Sequence, residues 1–158
     1  MKILILSDSH GKTRQMADIV RKHRDNVEFV LFLGDYVGDI DAISADFSGQ
    51  IHAVAGNCDF LSPLPREMTL ELGNRRIWMT HGDRFNVKLN LNKIQASAAE
   101  RRADVCLFGH THDAVVMEKN GILFINPGSI SEPRGRGGKS YAMLEIIGES
   151  CLAKIIEI

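Results

Sequence analysis

The sequence lacks the features that direct a protein to a membrane, an oxidising compartment or nucleic acid. Its formal net charge is −1, so no overall basic field attracts nucleic acid or anionic lipid. The N-terminal run reaches Asp8 after only four strongly apolar residues, too few for a signal peptide or a membrane span. The three cysteines are far apart and form no CxxC pair, which is typical of a reducing compartment. We therefore predict a cytoplasmic protein without membrane contact.

No repeat, low-complexity tract or linker divides the chain. With 158 residues, 44% of them apolar and 25% charged, the sequence is typical of a globular protein with a sizeable core. We predict a single domain over residues 1–158. Because the chain has no net positive charge, any attraction for an anionic substrate must come from a local site.

The first third of the chain alternates buried strands with helices. Apolar runs at Ile3–Leu6 and Phe29–Leu33 predict buried strands, and Ile51–Ala55 predicts a third strand. Amphipathic stretches at 12–24 and Ile40–Phe47 predict the helices between them. This order predicts parallel pairing of the strands through right-handed crossovers.

The rest of the chain is richer in hairpins, because turns containing glycine separate its apolar segments. The predicted strand pairs are Met68–Leu72 with Arg76–Thr80, Ala114–Glu118 with Ile122–Ile125, and Tyr141–Ile147 with Leu152–Ile156. A helix is predicted over 88–102, followed by a buried strand at Val105–Phe108. The fold class is therefore α/β, with two sheets packed face to face and helices outside.

Five of the predicted strands end in residues that bind hard or borderline metal ions. These ends are Asp8-Ser9-His10, Gly34-Asp35, Gly56-Asn57, His81-Gly82 and Gly109-His110-Thr111-His112. In open α/β sheets the ligand site lies where the loops at the carboxyl ends of the strands converge. The five ends are therefore expected to meet in space, although they span more than half of the chain.

Each strand end has a structural alternative when it is considered alone. Asp8 or Ser9 would cap the following helix, and His81 would be a surface residue of a loop. Gly34-Asp35 and Gly56-Asn57 are common turn dipeptides. The set as a whole argues for a site, because four of the six histidines fall at these ends. Glycine next to most of them also lets the backbone approach a ligand closely.

The order of these motifs resembles that of a known family. The motifs DxH, GD, GN, HG and GHTH follow one another as in the calcineurin-like metallophosphoesterase superfamily. The segments SDSHG, GNCD, THGD, FGHTH and NPGS are similar to its small prokaryotic phosphodiesterase branch. The resemblance covers nearly the whole chain and implies a four-layer sandwich of two mixed β-sheets flanked by helices. The implied activity is metal-dependent hydrolysis of phosphodiester bonds by a hydroxide that bridges two metal ions.

The resemblance also implies seven metal ligands. Asp8, His10 and His112 would hold one ion, Asn57, His81 and His110 would hold the other, and Asp35 would bridge both. Asp35, Asn57 and His81 are also expected to act in catalysis. Nitrogen and oxygen ligands without thiolate suit Mn²⁺, which we expect first, and also Ni²⁺, Fe²⁺, Zn²⁺ or Mg²⁺. Two divalent ions about 3.5–4 Å apart exceed the charge of two aspartates, so positive charge remains for an anionic phosphate.

Position 58 departs from the broader superfamily. Many members have a histidine there as a candidate general acid, whereas this chain has Cys58. The acidic residue that would orient such a histidine is replaced by Gly38, with Asp39 one position further on. A neutral thiol with a pKa of about 8.5 is a poor proton donor, and we interpret Cys58 as a packing residue. No residue is then assigned to protonate the leaving group.

Two further motifs each have a functional and a structural interpretation. Asn126-Pro127-Gly128-Ser129 either shapes the floor of the site or forms a turn. The basic, glycine-rich segment 133–139 either contacts the substrate phosphate or is a solvated loop. Arg134 is the substrate-binding candidate in this segment.

The sequence favours an enzyme over two alternatives. A eukaryotic vacuolar-sorting subunit resembles the same branch and uses the fold for protein contact, so the first alternative is a non-catalytic protein-binding scaffold. All seven ligand positions hold competent residues, which favours catalysis. A nuclease ranks lower, because no basic stripe is present. The expected partner is a small phosphodiester substrate, nucleic acid is not expected, and a homo-oligomer is compatible with the sequence.

Overall fold

Two five-stranded β-sheets form the centre of the molecule in the computed structural model, which describes residues Met1–Ile158. The first sheet contains β1 (Lys2–Leu6), β2 (Phe29–Phe32), β3 (Gln50–Ala53), β9 (Ser140–Ile147) and β10 (Ser150–Glu157). The second contains β4 (Glu67–Leu72), β5 (Arg75–Thr80), β6 (Val105–Leu107), β7 (Val115–Lys119) and β8 (Ile122–Asn126). The spatial orders are β10-β9-β1-β2-β3 and β4-β5-β6-β8-β7.

Both sheets are mixed, as the sequence predicted. In the first sheet β1, β2 and β3 are parallel, with Ile3 opposite Phe29 and Phe29 opposite Gln50. The hairpin of β9 and β10 joins this sheet through an antiparallel pairing of β9 with β1. In the second sheet β5, β6 and β8 are parallel, and the hairpins add β4 and β7 as antiparallel outer strands. All predicted hairpins are therefore confirmed.

The helices are α1 (Thr13–His23), α2 (Asp41–Ser44) and α3 (Asn92–Glu100). The helix predicted at Ile40–Phe47 is shorter than expected: a 3₁₀ turn occupies Val37–Ile40, and α2 ends at Ser44. The helix predicted over 88–102 begins only at Asn92, where the Asn90 side chain accepts a hydrogen bond from the Asn92 backbone N–H at 3.0 Å. None of the helices has the length and apolar content needed to cross a lipid bilayer.

Three apolar clusters hold the layers together and explain why the central strands are continuously apolar. On β1, Ile3 and Ile5 pack between the two sheets, whereas Leu4 and Leu6 pack against α1 and α2 on the outer face. On the outer face of the second sheet, α3 packs against Trp78 and neighbouring residues. The order helix, sheet, sheet, helix confirms the four-layer sandwich. It also brings the carboxyl ends of β1, β2, β3, β5 and β6 towards one another.

Candidate metal centre

Each expected ligand lies in a loop at the carboxyl end of a parallel strand. Asp8 and His10 follow β1, Asp35 follows β2 and Asn57 follows β3 in the first sheet. His81 follows β5, while His110 and His112 follow β6 in the second. Asp8, Asp35, His81 and His112 are buried. The expected donors thus come from both sheets of the sandwich.

The first cluster consists of Asp8, His10 and His112, whose donor atoms all lie within 4.8 Å of one another. The shortest separation, 3.0 Å, joins His112 Nε2 and Asp8 Oδ1. The Nε2 atoms of His10 and His112 are 3.3 Å apart, and His10 Nε2 is 3.9 Å from Asp8 Oδ1. This arrangement pairs one carboxylate with two imidazoles.

The second cluster consists of Asp35, His81 and His110, again with all donor atoms within 4.8 Å. His81 Nε2 lies 3.4 Å from Asp35 Oδ1 and 3.1 Å from His110 Nδ1. Asp35 also lies within the same distance of His10, which belongs to the first cluster. Asp35 therefore stands between the two clusters, in the position that a shared ligand requires.

The backbone at these residues adopts a conformation that is rare outside glycine. Five of the nine non-glycine residues with positive φ are expected ligands. They are Asp8 (φ 55°), His10 (φ 44°), Asp35 (φ 58°), His110 (φ 67°) and His112 (φ 58°). A left-handed conformation costs such residues on the order of 1–3 kcal/mol, and residues of this kind cluster at functional sites. The strain supports a functional role for these loops.

Two glycines are required by the close approach of the ligand loops. A Cβ atom on Gly56 would overlap the Asp35 carboxylate, and one on Gly109 would overlap the Ser7 hydroxyl. The residue next to each of these glycines, Asn57 or His110, carries an expected ligand. The glycines of the GN and GH dipeptides are therefore necessary for packing beside the expected ligands.

Asp8 is held from several sides, but one of its oxygens is left without a hydrogen bond. Its Oδ2 accepts hydrogen bonds from the Ser7 hydroxyl and, at 3.2 Å, from the His110 backbone N–H. Its carbonyl accepts the hydroxyls of Ser129 at 2.8 Å and Ser131 at 2.9 Å. The buried Oδ1, which faces the imidazoles, has no partner in hydrogen-bonding geometry. The NPGS motif thus shapes the floor of the site through Ser129.

The Asp59 carboxylate organises the loop that carries Asp35. Its two oxygens accept four backbone N–H groups at 2.8–2.9 Å, those of Asp35, Tyr36, Val37 and Gly56. The Asp35 carboxylate in turn accepts the Cys58 N–H at 2.8 Å. We did not predict a role for Asp59 from the sequence, although it is the last residue of the GNCD segment.

Two histidines are oriented by main-chain carbonyls. His81 Nδ1 lies 2.8 Å from the Leu33 carbonyl, and His112 Nδ1 lies 2.6 Å from the Glu132 carbonyl. A carbonyl only accepts, so Nδ1 is the donor in both rings and Nε2 is the nitrogen left to face the centre. Ligating histidines in metalloproteins are typically oriented by such a bond.

The electrostatics keep the two aspartates ionised. Burial alone would raise the pKa of Asp8, but interactions with His112, His81 and Ser7 hold it below its usual value. Burial would likewise raise the pKa of Asp35. Interactions with His81 and with the Cys58 N–H outweigh this effect, so the pKa of Asp35 is also below its usual value. Both residues therefore present carboxylates rather than carboxylic acids.

The His110 imidazole and the Cys58 thiol are both neutral at pH 7. Burial and the neighbouring charges of His81 and Lys88 lower the pKa of His110 to about 4. Desolvation of the thiol and the nearby Asp35 carboxylate raise the pKa of Cys58 to about 11. A neutral imidazole is the form that binds metal, whereas a neutral thiol is a weak ligand and a weak acid.

The donor set fits divalent metal ions. Besides Asp8 Oδ1, the Asn57 side-chain oxygen is buried and has no hydrogen-bond partner. Buried polar atoms are rarely left unpaired, and a bound ion satisfies many of those that have no hydrogen bond. Imidazole nitrogens 3.1 and 3.3 Å apart also need a cation or a shared proton between their lone pairs. Carboxylate, amide and imidazole donors without thiolate suit borderline divalent ions.

Arg134 and Asp39 lie at the edge of the site. Arg134 is exposed, and its backbone N–H donates to the His112 carbonyl at 3.0 Å, so its loop borders the centre. Asp39 accepts the Ser9 hydroxyl at 2.7 Å and the Gly11 N–H at 2.9 Å. Asp39 therefore supports the loop that carries His10.

The family model and the two relatives described below all represent phosphoesterases. The model of the calcineurin-like phosphoesterase superfamily domain matches residues 1–149. The chain is 35% identical over 158 residues to the probable metallophosphoesterase YsnB of Bacillus subtilis, covering 99% of this chain and 91% of that protein. It is 28% identical over 171 residues to the phosphodiesterase YfcE of Escherichia coli, covering 92% and 88% of the two chains.

Solved structures extend the comparison. A predicted phosphoesterase from Streptococcus pneumoniae superposes with a TM-score of 0.84 at 31% identity, covering 99% of this chain and 88% of that one. Vps29 of Entamoeba histolytica, solved in complex with Zn²⁺, superposes with a TM-score of 0.78 at 20% identity. That alignment covers 99% of this chain and 98% of Vps29, and at this identity it shows a shared fold.

Proposed function

The chain belongs to the calcineurin-like phosphoesterase superfamily and is a metal-dependent phosphoesterase, and we propose that it hydrolyses phosphodiester bonds at a centre of two divalent metal ions. The observation that carries this proposal is the position of Asp35 between two carboxylate–imidazole clusters. A single-ion site would need only one of these clusters. The name of the relative YfcE, a phosphodiesterase, supports a diester rather than a monoester as the substrate class.

The proposed ligand assignment follows the two clusters. Asp8, His10 and His112 would hold the first ion, His81 and His110 together with the neighbouring Asn57 would hold the second, and Asp35 would be shared by both. The unpaired oxygens of Asp8 and Asn57 support the assignment, because each would gain a partner on metal binding. We propose Mn²⁺ as the native metal, since the donors are nitrogen and oxygen atoms of borderline softness.

When bound, two such ions supply Lewis acidity at the phosphate and lower the pKa of a water nucleophile. The protein's own residues set the charge of the site. Only Asp8 and Asp35 are negative among the ligands, and Asn57 is neutral, so the loaded centre attracts an anionic diester. Asp35, Asn57 and His81 fix the positions at which the substrate reacts. Arg134, at the border of the centre, contacts the phosphate.

The leaving group receives little help from the protein. With its pKa raised to about 11, Cys58 is a weak proton donor at neutral pH. Its backbone N–H contributes structurally instead, by donating to the Asp35 carboxylate. We therefore propose that the natural substrate has a leaving group that departs without strong acid assistance.

We further propose that residues 1–158 form a single domain and that the protein works in the cytoplasm. The continuous core between the two sheets supports the first proposal, because strands from both ends of the chain contribute to it. The cysteine pattern supports the second, since Cys58, Cys106 and Cys151 are all free thiols.

A non-catalytic scaffold is the second candidate. The fold similarity to Vps29 favours it, because the match covers nearly all of both chains. Against it stand the strained backbone at five ligand positions and the two unpaired ligand oxygens. A scaffold gains nothing from strain at a centre that it does not use.

The test is a metal analysis of purified protein combined with a substrate screen. We expect about two equivalents of divalent metal per chain, as a two-metal centre requires. With added Mn²⁺ the protein should hydrolyse aryl phosphodiesters faster than the matched monoesters. Removal of metal with a chelator should abolish hydrolysis, and Mn²⁺ should restore it. Full activity after chelation would refute the proposal, and metal binding without any hydrolysis would favour the scaffold.

A further inference from the structure

A groove of about 420 Å³ opens beside the metal centre on the side of the second sheet. Its apolar wall is formed by Val87, Leu91, Phe108 and Val115. Two cationic side chains, Lys88 and Arg134, also line it. The volume lies within the range of small-molecule binding sites, and the combination of apolar walls with a few charged groups is typical of such sites.

The groove is continuous with the loops that carry three of the proposed ligands. Thr111, which also lines it, stands between His110 and His112. The Arg134 backbone N–H donates to the His112 carbonyl at 3.0 Å. Val87 packs against Gly82, the residue that follows His81, so closely that a Cβ there would lie 3.0 Å from Val87 Cγ2. A substrate phosphate at the centre therefore has this groove as its neighbour.

The charges around the groove suit an anionic substrate with an apolar arm. Lys88 and Arg134 together exceed the single negative charge of Asp113 in the lining. The cations thus favour the phosphate at the mouth of the groove, while the walls favour an uncharged, apolar group.

We infer that this groove binds one organic arm of the phosphodiester, and that the arm is an apolar group of aromatic size. This inference rests on the proposed function and specifies its substrate class. Burying such a group against the apolar wall stabilises the complex in proportion to the area removed from water. A methyl or other small arm leaves the groove filled with water and gains nothing from it.

The test compares two diesters with the same leaving group, methyl 4-nitrophenyl phosphate and 2-naphthylmethyl 4-nitrophenyl phosphate. We expect kcat/KM to be about tenfold higher for the naphthylmethyl ester, mainly through a lower KM, because the added contacts are apolar. Val115→Phe, which fills the groove, should bring the ratio of the two kcat/KM values close to one. Val116→Phe is the matched control, since adjacent residues of a strand point to opposite faces. It should keep the ratio of the unmodified enzyme.

A binding measurement separates this inference from the proposed function. The probe is 2-naphthylmethylphosphonate, with methylphosphonate as its control, titrated into Mg²⁺-loaded protein and followed by methyl NMR. We expect the naphthyl probe to shift the Val115 and Leu91 resonances and to leave Val116 unchanged, even if no diester is hydrolysed or Val115→Phe does not fold. Equal kcat/KM values for both diesters, or a probe that leaves Val115 and Leu91 unshifted, would overturn the inference while the proposed function stands.

Discussion

The two sheets contribute chemically different halves to the metal centre. The first sheet supplies both carboxylates, Asp8 and Asp35, together with the amide of Asn57 and one imidazole. The second sheet supplies imidazoles only, from His81, His110 and His112. Every negative charge of the proposed centre therefore comes from one side of the sandwich.

The two halves are also held differently. Asp8 is fixed through the hydroxyls of Ser7, Ser129 and Ser131, and Asp35 through the network of Asp59. His81, by contrast, has one main-chain partner, the Leu33 carbonyl, and its Nε2 faces the Asp35 carboxylate and His110. A buried carboxylate is costly unless several dipoles surround it. The residues of the carboxylate half are thus held by the larger number of hydrogen bonds.

Two short carboxylate–imidazole contacts join the halves across the sheets: His112 Nε2 lies 3.0 Å from Asp8 Oδ1, and His81 Nε2 lies 3.4 Å from Asp35 Oδ1. Each proposed metal position therefore takes a carboxylate from the first sheet and at least one imidazole from the second. A change to Asp35, the one residue assigned to both positions, should therefore affect both ions, whereas a change to one imidazole of the second sheet should affect one.

The largest effect is expected for Asp35→Ala, because this residue serves both proposed positions. Activity should fall at least about 10³-fold, the scale seen when an essential group is removed. Bound metal, measured by elemental analysis, should fall at both positions. Asp41→Ala, which removes an exposed carboxylate at the start of α2, is the control and should keep both ions. An Asp35→Ala protein that retains two ions and full activity would contradict the bridging role.

His110→Ala and His112→Ala should each remove one ion and not two. These residues belong to different clusters, so bound metal should fall from about two equivalents to about one in either variant. Activity should drop by about 10²-fold, because electrostatic stabilisation from one side of the reacting group is lost. His52→Ala changes a histidine of β3 that lies in neither cluster, and it serves as the control. Variants that both keep two tightly bound ions would show that the assignment is wrong.

Asp59→Asn tests whether the network behind Asp35 matters for metal binding. The variant loses the charge that accepts four N–H groups, so metal affinity should fall about 10–100-fold, as for outer-shell changes in other metal sites. The free energy of unfolding should fall by about 1–3 kcal/mol, because hydrogen bonds to a buried charge are lost. Calorimetric metal titration and denaturant unfolding measure these two quantities.

The control for Asp59 is Asp104→Asn. Asp104 also accepts a backbone N–H, that of Arg76 at 2.7 Å, but it belongs to neither ligand cluster. Its replacement should lower stability without changing metal affinity. Equal losses of metal affinity in the two variants would mean that Asp59 acts on the fold alone.

The strands and the fold class were predictable because the central strands of the core consist mainly of apolar residues. Runs such as Ile3–Leu6 are apolar at every position, and burial on both faces of a central strand demands that pattern. Helix bounds were less predictable. The start of α3 depends on a local bond from Asn92 to Asn90, which periodicity does not detect.

The candidate ligands were named from their place at strand ends and from family motifs, and the structure brings six of them into two clusters, but the groups behind them were not predicted. Asp59 acts through backbone N–H groups of a loop more than twenty positions earlier in the chain. Ser131 reaches the Asp8 carbonyl from a loop 123 positions away. Such contacts depend on how the sheets bring the loops together. A sequence pattern does not indicate which distant loops come into contact.

The smallest expected effect concerns Cys58, which belongs to the carboxylate half but carries no charge. Its raised pKa, about 11, leaves no acid of suitable strength beside the leaving group. The negative charge that develops on the departing oxygen is then not neutralised by the protein. The rate should therefore fall steeply as the pKa of the leaving group rises, and activated aryl diesters should be strongly preferred.

Cys58→His should flatten this dependence, because an imidazolium donates a proton where a neutral thiol does not. A well-placed general acid contributes about 10²–10⁴-fold, and we expect only about tenfold here for poor leaving groups. The gain is limited because Gly38 offers no carboxylate to orient the ring, and Asp39 already accepts bonds from Ser9 and Gly11. The measurement is log kcat/KM against leaving-group pKa for both proteins, with Cys58→Ser as control. A shallow slope in the unmodified enzyme would mean that another group supplies the proton.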